Sequence, residues 1–213
     1  MAQVRQGEGH LVTLTGDAGV GKSRLIAALK QSLQAELRVT DYEIHNPPVE
    51  LPSALLWLEG RAQEFTQSSS YWPVLDLLRF YLGWQPQESE IARTARLTAA
   101  LRHLVTHGAL SAAQVTSMTP PLRRLLGLRQ EQLLERQLEE QEPEQLRQQT
   151  LLAVRDLLIA LVQGQPLVLV LEDLHWADAL SLDLIGLLLE KLPQHPILLL
   201  CVYRPEQEHK VWQ

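Results

Sequence analysis

Gly16–Arg24 reads GDAGVGKSR and lies between a short apolar run, HLVTLT, and a run with helical spacing, LIAALKQSLQAEL. Its first eight residues fit G-x-x-x-x-G-K-[ST], the Walker A pattern of a loop that closes around phosphate. Gly16, Gly19 and Gly21 let the backbone turn tightly and bring its N–H groups against phosphate oxygens without a clashing Cβ. Asp17, Ala18, Val20 and Arg24 complete the nucleotide-binding stretch. Lys22 can reach the β- and γ-phosphates as a mobile point charge, and Ser23 can offer its hydroxyl to Mg2+. A helix starting near Lys22 adds its free N–H groups and dipole to the anion site.

Working outward, four segments read as strands: Leu11–Thr15, Leu55–Glu59, Leu167–Leu171 and Ile197–Tyr203. The last two are continuously apolar, as strands covered on both faces are. Helical patterns separate them. Leu25, Ile26, Leu29, Leu33 and Leu37 form one stripe, and Leu151, Leu152, Leu157, Leu158 and Leu161 another. A third pattern runs from Leu182 to Leu192, with Ser181 or Asp178 as cap and Pro193 as stop. Strand–helix alternation of this kind implies an α/β fold on a mostly parallel sheet.

The middle, Tyr71 to about Gln149, reads as a helical insertion between the second and third strands. Its leucine-rich pieces are expected to break at Pro120–Pro121 and at Pro143. The Glu- and Gln-rich part, RQEQLLERQLEEQEPEQLRQQ, reads as a solvated helix or hairpin, with a partner-binding helix as the alternative. Neither a solenoid repeat nor a Gly/Ser linker appears, so the 213 residues read as one domain.

A phosphate loop that works with Mg2+ needs an acidic partner. QPLVLVLEDLHWAD supplies one, a buried strand ending in Glu172–Asp173 at the edge where open α/β sheets bind ligands. The order Glu–Asp leaves open which carboxylate serves the metal and which orients water. The fourth strand ends CVYRPE, and Arg204 emerges on the same edge. It is either a γ-phosphate contact or a surface arginine before Pro205.

Bulk properties exclude other classes. The net charge is −6 and no Lys/Arg cluster stands out, which argues against direct nucleic-acid or membrane-surface binding. The one cysteine, Cys201, rules out an internal disulfide, and the N-terminus has no apolar signal segment, so a cytoplasmic location is expected. His103 and His107 stand one turn apart without the Glu of HExxH and read as an exposed pair. Trp57, Trp72 and Trp84 read as core or edge packing.

Taken together, GDAGVGKSRL, WLEGRAQEF, YWPVLDLLR, QPLVLVLEDLHWADALSLDLI and LLLCVYRPE resemble the AAA-type ATPase module of STAND signalling proteins. Such modules accompany bacterial adenylate cyclases, protein kinases and large LuxR-type regulators. The resemblance implies a three-layer P-loop fold of the additional-strand type, with a strand between the Walker A and Walker B strands. It implies an ATP/ADP-governed switch with Gly16–Ser23 on the phosphates, Glu172 and Asp173 as Walker B, Ser23 with these carboxylates on Mg2+, and Arg204 as a sensor. The catalytic set is then Lys22, Glu172, Asp173 and Arg204. His175, Trp176 and Asp178 belong to the pattern through loop packing.

Modules of this kind start with a segment upstream of the first strand and continue into a fifth strand, a helical lid and a winged-helix region. Ten residues precede Leu11 and the sequence stops at Gln213, so a truncated gene product or an excised piece of a longer regulator is expected, with Leu11–Thr15 at the sheet edge. The expected function is a slowly hydrolysing regulatory switch that relays nucleotide state to an output domain, a protein partner or another copy. A small-molecule phosphotransferase is an alternative, for which Arg123, Arg124 and Arg129 are the one lid candidate. A non-hydrolysing nucleotide-dependent interaction module is another.

Overall fold

The computed structural model describes residues 1–36, 55–63, 71–129, 142–163 and 165–205. They divide into two compact units, one of Met1–Tyr81 with Gly164–Gln213 and one of Leu82–Gln163.

The first unit carries four strands, β1 (His10–Thr15), β2 (Leu56–Arg61), β3 (Leu167–Glu172) and β4 (Ile197–Tyr203). Their order is β1-β4-β3-β2 and every pairing is parallel, so β4 is the strand added between β1 and β3. β3 and β4 are buried at every position, which accounts for their uninterrupted apolar sequence. Among the described residues β1 pairs with β4 alone, and Leu11 and Val12 are 44% and 45% exposed.

One face of the sheet is covered by α1 (Ala2–Arg5) and α2 (Lys22–Glu36). Val4, Ile26 and Leu33 pack there with Leu55, Trp57, Val168, Val170, Leu198, Leu200 and Val202. Each such side chain contributes about 1.5–3 kcal/mol when fully buried. The stripe expected on α2 needs one correction: Leu25 is 59% exposed, lying in the first turn where no described element covers it. Leu37 lies outside the described residues. Beneath α2, the Trp57 indole and the Lys30 ammonium both donate to Glu59, an ion pair that ties the helix to β2.

On the other face lie α3 (Trp72–Tyr81) and α7 (Ala179–Leu189). α3 comes close to β2 because Gly60 has no side chain; a Cβ there would sit 2.2 Å from the Pro73 carbonyl oxygen. α3, assigned by sequence to the insertion, thus packs on the sheet. α7 stops at Leu189 instead of reaching Leu192, and Leu192–Gln194 form a separate 3-10 turn. The Leu192 carbonyl accepts from Gly9 N–H at 3.0 Å, fixing the entry to β1.

The second unit is helical: α4 (Glu90–Thr106), α5 (Ala112–Leu125) and α6 (Pro143–Leu161). Ser89 caps α4, Ser111 and Gln114 form a capping box on α5, and Pro143 opens α6 at its first turn. The break expected at Pro120–Pro121 does not occur; α5 runs through both. The two carbonyls deprived of donors belong to Thr116 and Ser117, which are exposed and can turn to water. Pro121 is meanwhile buried with Met118 and Leu122, and α5 packs against α6. The rings of His103 in α4 and His107 at its C-cap lie 4.1 Å apart; His107 is exposed as expected, but His103 is half-buried, and burial and then the neighbouring ring lower its pKa.

Two outcomes follow from this packing. Gly60→Ala should cost about 2–3 kcal/mol in urea denaturation, the upper range for overpacking, because the obstructing atom is backbone. Cys201 is buried in β4, and burial pushes its thiol up to about 12. Its protonated form is favoured by folding, so stability should decline as pH rises above the ordinary thiol range towards 12. Alkylation at pH 8 should be slow in the native protein and accelerate in urea; fast native labelling would contradict the burial.

Candidate functional site

Because the strands are parallel, their C-terminal ends share one edge, and each delivers a residue with chemistry to it. The loop Gly16–Gly21 leaves β1, Arg61 ends β2, Glu172 ends β3 with Asp173 following, and Arg204 follows β4. Thr15, just before the loop, is in register with Tyr203, so Arg204 emerges next to Gly16. It is half-buried, and among the described residues it has no hydrogen bond or ion pair.

Gly19 and Gly21 have φ of +80° and +95°, values that a residue with a Cβ adopts only at a cost. The loop then opens α2 at Lys22. Lys22 Nζ donates to the carbonyls of Gly16 and Asp17 at 2.6 and 2.8 Å, folding the ammonium back over the loop. Asp17, Ala18, Val20 and Arg24 are exposed, Asp17 taking part through its carbonyl.

Ser23 Oγ donates to Glu172 Oε2 at 2.7 Å and so joins two motifs 149 residues apart. A hydroxyl and a carboxylate are hard oxygen donors, suited to Mg2+, which is commonly held by one or two carboxylates together with phosphate oxygens. Among the described residues no group of three or more His, Cys, Asp or Glu could hold a metal without such help.

Sequence reasoning missed Arg61. Its guanidinium lies 3.1 Å from Glu172 Oε2 and 3.5 Å from Asp173 Oδ2, bridging both carboxylates. Burial lowers its pKa, but Glu172 first and then Asp173 and Glu59 outweigh this and hold it above the usual arginine value. The position is built from the backbone. Arg61 is in register with Glu172, its N–H donates to Asp76 Oδ2 of α3 at 3.2 Å, and Ala62 N–H donates to the Glu172 carbonyl. The signal available in sequence was the GR pair after WLE, which became informative once the register of β2 on β3 was known. Asp173 adopts a left-handed conformation, φ 56°, one that Asp tolerates better than most residues.

Asp178 turns out to be the N-cap of α7. Its Oδ1 accepts from the N–H groups of Leu180 and Ser181, and its Oδ2 from the Ser181 hydroxyl at 2.7 Å and Tyr71 N–H at 3.0 Å. Tyr71 also has a positive φ of 64°, so this carboxylate secures the start of α3 as well as of α7.

A glycine loop ending the first strand, bonded to an acidic residue ending a buried neighbour in a parallel α/β sheet, defines a P-loop nucleotide-binding fold. The chain belongs to the AAA ATPase domain family, which matches it over residues 1–200. It is similar to an uncharacterized protein of Rhizobium meliloti (strain 1021), 27% identical over 202 residues that make up 95% of this chain and 17% of that protein. The chain therefore spans less than a fifth of that relative's length. No solved structure matches it. Among the described residues no helix is long and apolar enough to cross a membrane.

Asp178→Ala removes one cap and one clamp together. It should destabilise the protein by about 2 kcal/mol, the upper end for a lost N-cap, whereas Asp178→Asn, which keeps an acceptor, should cost less in the same thermal melts.

Proposed function

We propose that this chain is the ATP- and ADP-binding switch of a STAND-type signalling or transcriptional regulator, a single P-loop domain carrying the helical unit as an insertion and working in the cytoplasm. The observation that carries the reading is the hydrogen bond between Ser23 and Glu172, which closes the phosphate loop onto the acidic strand end. On nucleotide binding, Lys22 leaves the loop carbonyls for the β- and γ-phosphates, whose oxygens take their place. The N–H groups of Gly16–Ser23 hold the remaining phosphate oxygens, with Arg24 in the first turn of the helix behind them. Mg2+, bound with the nucleotide, supplies charge neutralisation at the phosphates.

Glu172, already in contact with Ser23, serves the metal side, and Asp173 orients the attacking water. The exchange of one methylene between these two roles, relative to the usual Asp–Glu order, makes hydrolysis slow. Arg204 next to the loop contacts the γ-phosphate and distinguishes ATP from ADP. That difference passes to an output domain, a protein partner or a second copy. The small share of the R. meliloti protein covered by this chain fits a module that serves a larger protein.

Calorimetric titration with ATP and ADP, with and without Mg2+, tests the reading. Lys22→Ala should weaken ATP binding by roughly ten- to hundredfold, the value of a lost charge-assisted contact. Glu172→Gln should keep binding without Mg2+ and lose the gain that Mg2+ brings. A folded wild type that bound neither nucleotide would end the proposal.

A further inference from the structure

Among the described residues of the first unit, Arg61 is a cation held against both carboxylates at the end of β3. Three observations set it apart from an ordinary surface arginine. It contacts two carboxylates on consecutive residues, 3.1 Å from Glu172 and 3.5 Å from Asp173. The Glu172 oxygen that it meets, Oε2, is the same one that accepts the Ser23 hydroxyl. Its backbone is pinned by Asp76, which reaches it because Gly60 lets α3 approach β2.

We propose that Arg61 is a built-in competitor of the divalent cation: it neutralises Glu172 and Asp173 in the nucleotide-free protein and must yield them when the metal enters. This rests on the reading of the site given above and adds its regulation. The physical argument is electrostatic. A divalent ion held by Ser23 and Glu172 would be repelled by the guanidinium, which competes for the same carboxylate oxygen. The Arg61 side chain is 49% exposed, so it can swing into water without disturbing the core. Its half-exposure also screens the repulsion, which limits the effect to an affinity penalty. The penalty keeps the site closed to metal alone, and a nucleotide that brings its own phosphate ligands and charge overcomes it. Arg61 thereby acts as a positioning residue that couples metal entry to nucleotide entry.

The test is a titration of Mn2+ into the protein preloaded with stoichiometric ADP, following the signal of free Mn2+ by electron paramagnetic resonance. Arg61→Gln, which removes the charge and keeps much of the length, should bind Mn2+ about tenfold more tightly, the scale for a half-exposed charge. It should also acquire measurable Mn2+ binding without nucleotide. Arg61→Lys keeps the charge and should stay near the wild type. Thermal melts establish that each variant is folded. Unchanged or weaker Mn2+ affinity in Arg61→Gln, with ADP still bound, overturns the proposal alone. An equal gain in both variants also overturns it, because loosened packing and not charge would then be the cause. A wild type that bound no ADP would overturn the reading of the site, and this inference with it.

Discussion

A carboxylate at the end of a fully buried strand is the constraint around which this protein is arranged. β3 is hydrogen-bonded on both sides and covered at every position, and it ends in Glu172, a residue only 9% exposed. A charge so placed costs several kcal/mol unless partners meet it. Ser23 comes from the loop after β1 and Arg61 from the end of β2, so both partners belong to other strands of the same sheet. Meeting one charge therefore ties the phosphate loop, the acidic motif and the β2 end into one assembly. The parallel sheet makes this possible, because it alone brings the ends of three such strands to one edge.

Much of the framework was legible in sequence for physical reasons. Strands covered on both faces must be apolar throughout, and LVLVLE and ILLLCVY are. The loop was legible because phosphate binding without a Cβ demands glycine at fixed steps. The exceptions share a cause: each depends on a neighbour that is remote in sequence. Leu25 fits the helical stripe, but whether a leucine there is buried depends on what lies above the first turn of α2. Pro120 and Pro121 read as a break, because a proline costs a helix a hydrogen bond and a clash with the preceding turn; α5 continues through them where Pro121 is buried and the helix packs against α6. Arg61 carries no local pattern at all. Its meaning lies in the register Arg61–Glu172, which no window of sequence contains.

Asp178 shows how a residue of a recognisable motif can serve structure and not chemistry. The EDLHWAD stretch combines a pair of acidic residues at the strand end with a third, a few residues on, that organises backbone. By capping α7 and receiving Tyr71 N–H, Asp178 fixes the starts of two helices on the face of the sheet opposite α2. α3 in turn supplies Asp76 to the Arg61 backbone. A chain of contacts thus runs from Asp178 through α3 and Arg61 back to the acidic pair at the end of β3.

The insertion of β4 between β1 and β3 has a consequence for the order in which the protein can be made. β1 is made well before β4, its strand neighbour among the described residues, with β2 and β3 translated in between. Until β4 arrives, the glycine loop has a helix behind it but no sheet beneath it, while β2 and β3 can already pair. Domains generally fold as units; here β1 has to wait for β4. The nascent chain must hold HLVTLT out of aggregation until β4 has been made. The polar positions within that run, His10, Thr13 and Thr15, are suited to such a wait in a way that a run as apolar as β4 would not be.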